Sequence, residues 1–435
     1  MKKFKSFKTI ILTILILTLT SLSSIANAQE NIGQIQGIVA QSAIVMDMDT
    51  GEVIASKNAD NQMPVASTIK LLTSLIYAEN TSKSENISFT EDVLKTTQTA
   101  LNNFKKVNPG DKISSDDLMK AVMIFSANDA AYLMADSVAG NTKDFVKMMN
   151  DRVKSMGLKD TYVVNPCGLE RDALNPENKE INLSSAYDIA IIAREAYKNE
   201  WIRDTISEKN KKVTIDLAGS PVILETRNKM LGEYGNIGGK TGNETKAGRC
   251  FVGFFERGGR NLVTVALNSE YGVHDVDVFN DSKVIADDGY NAKKQVFKKT
   301  GEKIDTVKLE YKLFGFFRPK KTVEAPIVAS KDIMYYKNPI NDKNAKIEYN
   351  DKDKNKNAWK LADKEVELTF SLPNYKAKVL GKVDISLFDL IKMNIVSYGI
   401  AVTVLGFILA VFVILYRKIS TNRIRKRKGY MFYKK

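Results

Sequence analysis

Between residues 40 and 290 the apolar positions change period twice, and the changes divide the chain. Ser42 to Val45 and Val53 to Ala55 are short apolar runs around Asp49-Thr50-Gly51, the pattern of a β-hairpin. From Pro64 to Asn80 the spacing becomes helical, with Ile69, Leu72, Leu75 and Ile76 on one face. A polar stretch from Thr90 to Ser114, broken by Pro109-Gly110, interrupts it. Helical patterns resume from Asp116 to Phe125, with Ser114 and Asp117 at capping-box spacing. Ala130 to Ala139 follows the break Ser126-Ala127-Asn128-Asp129 and ends at Gly140. Phe145 to Met156 and Ala186 to Tyr197 are amphipathic, the second capped by Ser184 or Ser185. The period then returns to two. Val213 to Ile215, Val222 to Glu225, Arg249 to Phe255 and Leu262 to Leu267 read as strands, with Gly258-Gly259 turning between the last two. A final helix, about Asp281 to Tyr290, is expected to pack back on them. Strands at both ends with helices between predict an α+β fold, an antiparallel sheet flanked by helices with a helical subdomain.

Beyond this region the pattern shifts again. Residues 296–390 carry short alternating runs, such as Thr306 to Tyr311 and Glu365 to Phe370, and read as a small all-β domain; Asn341 to Lys360 reads as a solvated loop. Residues 395–416 are uncharged over 22 positions, enough for a helix at ~1.5 Å per residue to cross the ~30 Å hydrocarbon core. Residues 1–28 combine four lysines, an apolar run and Ala26-Asn27-Ala28, the pattern of a cleaved signal peptide. The tail, 417–435, is basic without an acidic residue and is expected to stay in the cytoplasm, which puts the 29–295 domain on the extracytoplasmic face of the cell membrane, anchored by a single pass.

Charge changes the picture little. Nine basic residues in the tail and four in the signal account for most of the formal +14, and the exported part is left near neutral. Nothing here points to a nucleic-acid partner. Two cysteines, Cys167 and Cys250, are too few for a disulfide scaffold, and either one bridge or two free thiols fits. The one histidine, His274, argues against a His-ligated metal centre, and no cofactor is implied. A nucleophilic serine in this chain would need a base other than histidine.

Ser67 opens the only Ser-x-x-Lys in the chain, with Lys70 one helical turn on. Alone, the pair also fits a serine cap followed by a solvated lysine. As a base, Lys70 must lose its proton near neutral pH, which asks for burial and for a second cation nearby. Ser-x-Asn occurs four times. Only Ser126-Ala127-Asn128 sits in a break between helices, where it either caps the next helix or presents a hydroxyl and an amide to a cleft. Lys-Thr-Gly occurs at Lys240 and Lys299. The first follows Gly238-Gly239 and leads into an apolar strand, where the backbone can be approached closely.

Taken in order, Ser67-x-x-Lys70, Ser126-x-Asn128 and Lys240-Thr241-Gly242 resemble the penicillin-binding protein and serine β-lactamase superfamily. Pro64-Val65-Ala66-Ser67, Ser126-Ala127-Asn128-Asp129-Ala130, Asn165-Pro166-Cys167-Gly168-Leu169, Ser185-Ala186-Tyr187-Asp188 and Gly239-Lys240-Thr241-Gly242 with Ala247-Gly248 are similar to the D-alanyl-D-alanine carboxypeptidases, over about residues 35 to 292. The resemblance implies a serine peptidase that removes the terminal D-Ala from peptidoglycan stem pentapeptides and is acylated by β-lactam antibiotics. It makes Ser67 the nucleophile and Lys70 its base. Ser126 and Lys240 relay a proton to the leaving amine, and Asn128 holds the substrate amide. The backbone N–H groups of Ser67 and of Asn243, after Gly242, form the oxyanion hole. Thr241 and Arg227 are the carboxylate-binding candidates, Arg227 fitting a surface ion pair equally.

The sequence departs from the family pattern at Ile69, often threonine, at Asn243, often aromatic or histidine, and at Val278, often arginine. The last puts carboxylate recognition in question. Two rivals are a β-lactamase and a non-catalytic receptor for β-lactams or wall peptide. The first needs a deacylating glutamate, but Glu170 precedes Leu174-Asn175 by one residue too many for Glu-x-x-Leu-Asn. The second is expected to carry a His-Glu-x-x-His motif, which is absent.

Overall fold

A computed structural model describes residues 32–270, 276–314, 317–349 and 357–432. The expected signal peptide, His274 and part of the Asn/Lys-rich stretch lie outside them. The chain forms two compact units. The first runs to Phe297 and includes Met334–Lys346 and Ser371–Lys376; the second holds Lys298–Ile333, Ile347–Phe370 and the chain from Ala377.

In the first unit, β1 (Ser42–Asp47), β2 (Val53–Lys57), β3 (Asn236–Glu244), β4 (Gly248–Arg257) and β5 (Arg260–Ser269) form an antiparallel sheet in the order β2-β1-β5-β4-β3. Side chains alternate across a strand, so each apolar run feeds two cores. Ile44, Met46, Val252, Phe254, Val263 and Val265 join the core shared with the helical subdomain. Their neighbours Ala43, Val45, Phe251, Phe255, Leu262 and Ala266 pack with Val278, Ile285 and Ala286 of the helix Asp277–Asn291 on the other face. That helix lies close against the sheet at Gly289, where a Cβ would come within 2.6 Å of Val45 Cγ2. Burial on both faces explains why β4 and β5 read as nearly continuous apolar runs rather than as alternation.

The stretch expected as one helix from Pro64 is two elements. A 3-10 turn, Ala66–Ile69, leads into the α-helix Lys70–Asn80. The break arises at Ala66, whose φ of 46 lies in the left-handed region, where a regular helix cannot start. Every residue from Lys70 to Tyr77 is buried. Ser114 caps the helix Ser115–Lys120 by accepting from Asp117 N at 3.1 Å. A π-helical turn, Ala121–Phe125, then leads to Ser126 and the helix Asn128–Ala139, which Gly140 ends at φ 77. Ala127, which precedes the helix, supplies no side-chain cap; the Asn128 N–H donates to Thr99 O at 2.8 Å, and Asp129 Oδ1 accepts from Ala130 N at 2.8 Å. Both readings of the Ser126 to Asp129 break hold in part: Asp129 serves the helix start, while the side chains of Ser126 and Asn128 bond to Lys240 and Lys70. Ser185, not Ser184, caps Ala186–Lys198.

In the second unit, strands Lys303–Phe314, Phe317–Ala329, Tyr375–Val383, Glu365–Leu372 and Lys346–Tyr349 form a five-stranded sheet around Leu309, Ile327, Leu368 and Val383. The stretch expected as a solvated loop from Asn341 is partly ordered. Pro339–Asn344, which belongs to the first unit, is a helix whose cap Asn338 accepts from Asn341 N, and Ala358–Leu361, in the second, is a helical turn. Asn-Pro is a good helix start, but a polar composition hides it. The helix Ile395–Phe432 contains, from Ile395 to Ile424, the one segment among the described residues long and apolar enough to cross a membrane.

Candidate active site

Ser67 lies in the tight turn ahead of Lys70–Asn80 and is half-buried, while Lys70 is fully buried beneath it. Lys70 Nζ donates to Ser67 Oγ at 2.8 Å, to Asn128 Oδ1 at 2.6 Å and to the Cys167 carbonyl at 2.8 Å. Three acceptors satisfy an ammonium. They equally satisfy a neutral amine, whose two N–H groups serve Asn128 and Cys167 while its lone pair accepts from the serine hydroxyl. Losing the proton therefore strands no partner. Asn128 is held in turn, its Nδ2 donating to the Gln98 carbonyl at 2.7 Å.

The Cys167 carbonyl is aimed by its own turn. Asn165 Oδ1 accepts from Cys167 N at 3.2 Å and Gly168 N at 2.7 Å, and Asn165 Nδ2 donates to Leu169 O at 2.9 Å. Gly168 has φ +86, and a Cβ there would stand 2.0 Å from Ala66 O and 2.9 Å from Ser67 N. The turn presses directly on the serine's backbone, which only glycine allows.

The second cluster faces the same cleft. Ser126 sits at φ 72, ψ 31, a left-handed conformation that costs a serine about 1–2 kcal/mol. There its Oγ accepts from Lys240 Nζ at 2.8 Å, and Lys240 also donates to Thr241 O at 2.9 Å. Lys240 is 1% exposed and belongs to β3, the edge strand of the sheet. Gly242 lets that edge approach the serine, since a Cβ there would lie 3.1 Å from Val65 O and 3.2 Å from Ser67 N.

Burial lowers Lys70 from 10.5 to about 8, against the opposing pull of Cys167, Glu244 and Asp129. Lys240 is pushed well below the ordinary lysine value, first by burial and then by the charges of Lys70 and Arg227. Lys240 is the second cation that a depressed Lys70 calls for. Burial is the larger cause for both lysines, and the repulsion between them adds to it. A site this dry disfavours two adjacent positive charges, and both lysines are pushed down from the ordinary value.

A cleft of about 280 Å³ is lined by Ser67, Ser126, Asn128, Arg227, Thr241, Gly242 and Asn243, with Lys70 and Lys240 buried beneath. Arg227 stacks over the Phe125 ring at 4.6 Å. Val278 is buried in the cleft wall and offers no charge. Sequence reasoning missed Lys229 and Arg249, two further cations on the cleft; Arg249 pairs across the β3–β4 ladder with Asn243 but looks in sequence like the start of an apolar strand. It also missed the Gln98 and Thr99 carbonyls, because backbone acceptors leave no residue-type signal. Glu170 is committed elsewhere. Its Oε1 accepts from Ala247 N at 2.9 Å and from Lys246 N, bracing the turn between β3 and β4. Both cysteines are buried free thiols, and burial pushes Cys250 up to about 12.

A family model described as D-alanyl-D-alanine carboxypeptidase matches residues 27–271, more than half of the chain. D-alanyl-D-alanine carboxypeptidase DacF of Bacillus subtilis is 30% identical over 240 residues, covering 53% of this chain and 57% of that protein. DacB2 of Mycobacterium tuberculosis is 31% identical over 229 residues, covering 52% of this chain and 74% of that protein. The chain thus spans less than two thirds of the Bacillus relative. A crystal structure of penicillin-binding protein D2 from Listeria monocytogenes in the ampicillin-bound form is similar with a TM-score of 0.51 and 27% identity, covering 59% of this chain and 99% of that one. With the family model spanning β1 to β5 and both lysine–serine pairs, the chain belongs to the D-alanyl-D-alanine carboxypeptidase family.

Proposed function

We propose that this protein is a serine D-alanyl-D-alanine carboxypeptidase that trims the terminal D-Ala from peptidoglycan stem pentapeptides. The observation that carries the reading is the 2.8 Å contact between Ser67 Oγ and a buried lysine held at about 8. At neutral pH a useful fraction of Lys70 is an amine. It takes the Ser67 proton as Oγ attacks the carbonyl carbon of the scissile peptide bond, giving a tetrahedral oxyanion opposite the N–H groups of Ser67 and Asn243. The intermediate collapses to the Ser67 ester, the C–N bond breaks, and the departing D-Ala nitrogen receives a proton through Ser126 from the lysine network. Water then hydrolyses the ester. Because β3 is an edge strand, an extended peptide can lie along it through backbone hydrogen bonds, with its terminal carboxylate near Thr241 and Arg227.

β-Lactams enter as amides that acylate the same serine, and the ampicillin-bound form of the Listeria relative supports that extension. The β-lactamase rival loses ground because Glu170 is occupied by Lys246 and Ala247 N–H groups. The 29–295 and 296–390 domains, the signal peptide and a single-pass anchor facing the extracytoplasmic side complete the proposal; the apolar Ile395–Ile424 helix supports the anchor. Mass spectrometry of the intact protein after penicillin treatment tests the reading. One adduct on Ser67, absent from a folded Lys70→Ala variant, is expected; an adduct elsewhere, or none on folded protein, overturns it.

A further inference from the structure

The second unit carries an apolar groove with no role in the chemistry above. It has a volume of about 600 Å³ and is lined by Leu313, Trp359, Ile391 and Tyr398. These come from a strand, a helical turn, the short helix Leu387–Lys392 and the long apolar helix itself, and hydrogen bonds fix them together. Tyr398 Oη donates to Leu313 O at 3.0 Å, Trp359 Nε1 donates to Lys312 O at 3.0 Å, and Asn394 Nδ2 donates to Tyr311 Oη at 2.8 Å. Phe314 packs edge-on against Tyr398 at 5.5 Å.

The groove's height is set by covalent continuity with the long helix. Tyr398 lies three residues after Ile395, where that helix begins, so at ~1.5 Å per residue it sits only ~5 Å along it. With the span entering the bilayer at Ile395, this would be the level at which headgroups give way to acyl chains, and where Trp and Tyr side chains are favoured. The short helix beside the groove turns apolar residues outward: Phe388 is 71% exposed, and Leu387, Ile391 and Met393 are also exposed, while Leu390 is buried. Phe388 and Ile391 lie one turn apart on that outer side.

We propose that the groove takes an acyl chain of an outer-leaflet phospholipid, seating this end of the second unit on the bilayer that the long helix crosses. The seat rests on the membrane-spanning reading of that helix. It makes the β unit a foot on the lipid surface rather than a body on a free tether.

The chain has two tryptophans, so Trp201→Phe in the full-length protein leaves Trp359 as the sole reporter. In vesicles of phosphatidylcholine and phosphatidylglycerol with bromine at acyl positions 6 and 7, Trp359 emission should fall by at least half. The Trp359→Phe variant, reporting Trp201, serves as the reference. Ile391→Asp should remove most of the quenching without affecting flotation with vesicles. Flotation with Trp359 quenched no more than Trp201 overturns the seat alone. Quenching undiminished by Ile391→Asp overturns the groove as its site. Failure to float overturns the membrane span and the seat together.

Discussion

If Lys70 is the base, the rate of β-lactam acylation must follow its neutral fraction. With Lys70 at about 8, that fraction is ~9% at pH 7 and ~91% at pH 9, so the second-order acylation rate should climb about tenfold across this window and level off above it. A lysine left at 10.5 would behave differently: its neutral fraction would rise roughly a hundredfold over the same range and would still be climbing at pH 9. The two curves are easily separated. Stopped-flow measurement with a fluorescent penicillin, corrected for the antibiotic's own hydrolysis, gives the profile directly. The structure adds a second handle, since the charges of Glu244 and Asp129 hold Lys70 up. Glu244→Gln removes one of them and should move the midpoint to lower pH. A flat profile, a rise without a plateau, or a midpoint that moves upward in Glu244→Gln would refute the assignment of Lys70.

Four further variants test the geometry. Gly168→Ala forces a Cβ to within 2.0 Å of Ala66 O at a positive φ; the strain of at least ~1–2 kcal/mol should lower the melting temperature by several degrees and slow acylation at least tenfold, read by calorimetry and fluorescent penicillin. Ser126→Ala removes the acceptor of Lys240 and should cut D-alanine release by about 10²-fold or more, with folding checked by circular dichroism. Arg227→Ala should raise KM for the peptide several-fold with little change in kcat, and Phe125→Ala, which removes the ring under Arg227, should shift KM in the same direction by a smaller factor, since such contacts are worth roughly 0.5–1 kcal/mol at exposed sites.

Much of this site could be read before any coordinates because its reactive groups are carried in short motifs on regular elements. Ser67 and Lys70 lie three residues apart, and one turn of chain is enough to join them. Ser126 and Lys240 are 114 residues apart, and their contact depends on a left-handed serine and on an edge strand, neither of which has a residue-type signature here. The Cys167 carbonyl was invisible for the same reason. What binds Lys70 there is backbone, and the side chain that aims it belongs to Asn165. The two-sided burial of the central sheet also left its mark: β4 and β5 were legible as apolar runs, yet the chain alone could not say which residues face which core. The helix at Pro339–Asn344 is hidden in the sequence by the polar residues that surround its Asn-Pro start.

Release of D-alanine from a stem pentapeptide ending in D-Ala-D-Ala, by the full-length protein and by Ser67→Ala, tests the central claim most directly. One D-alanine per peptide from the native chain, and none from the variant, is the predicted result. No release from folded native protein, or release that persists in Ser67→Ala, would contradict it.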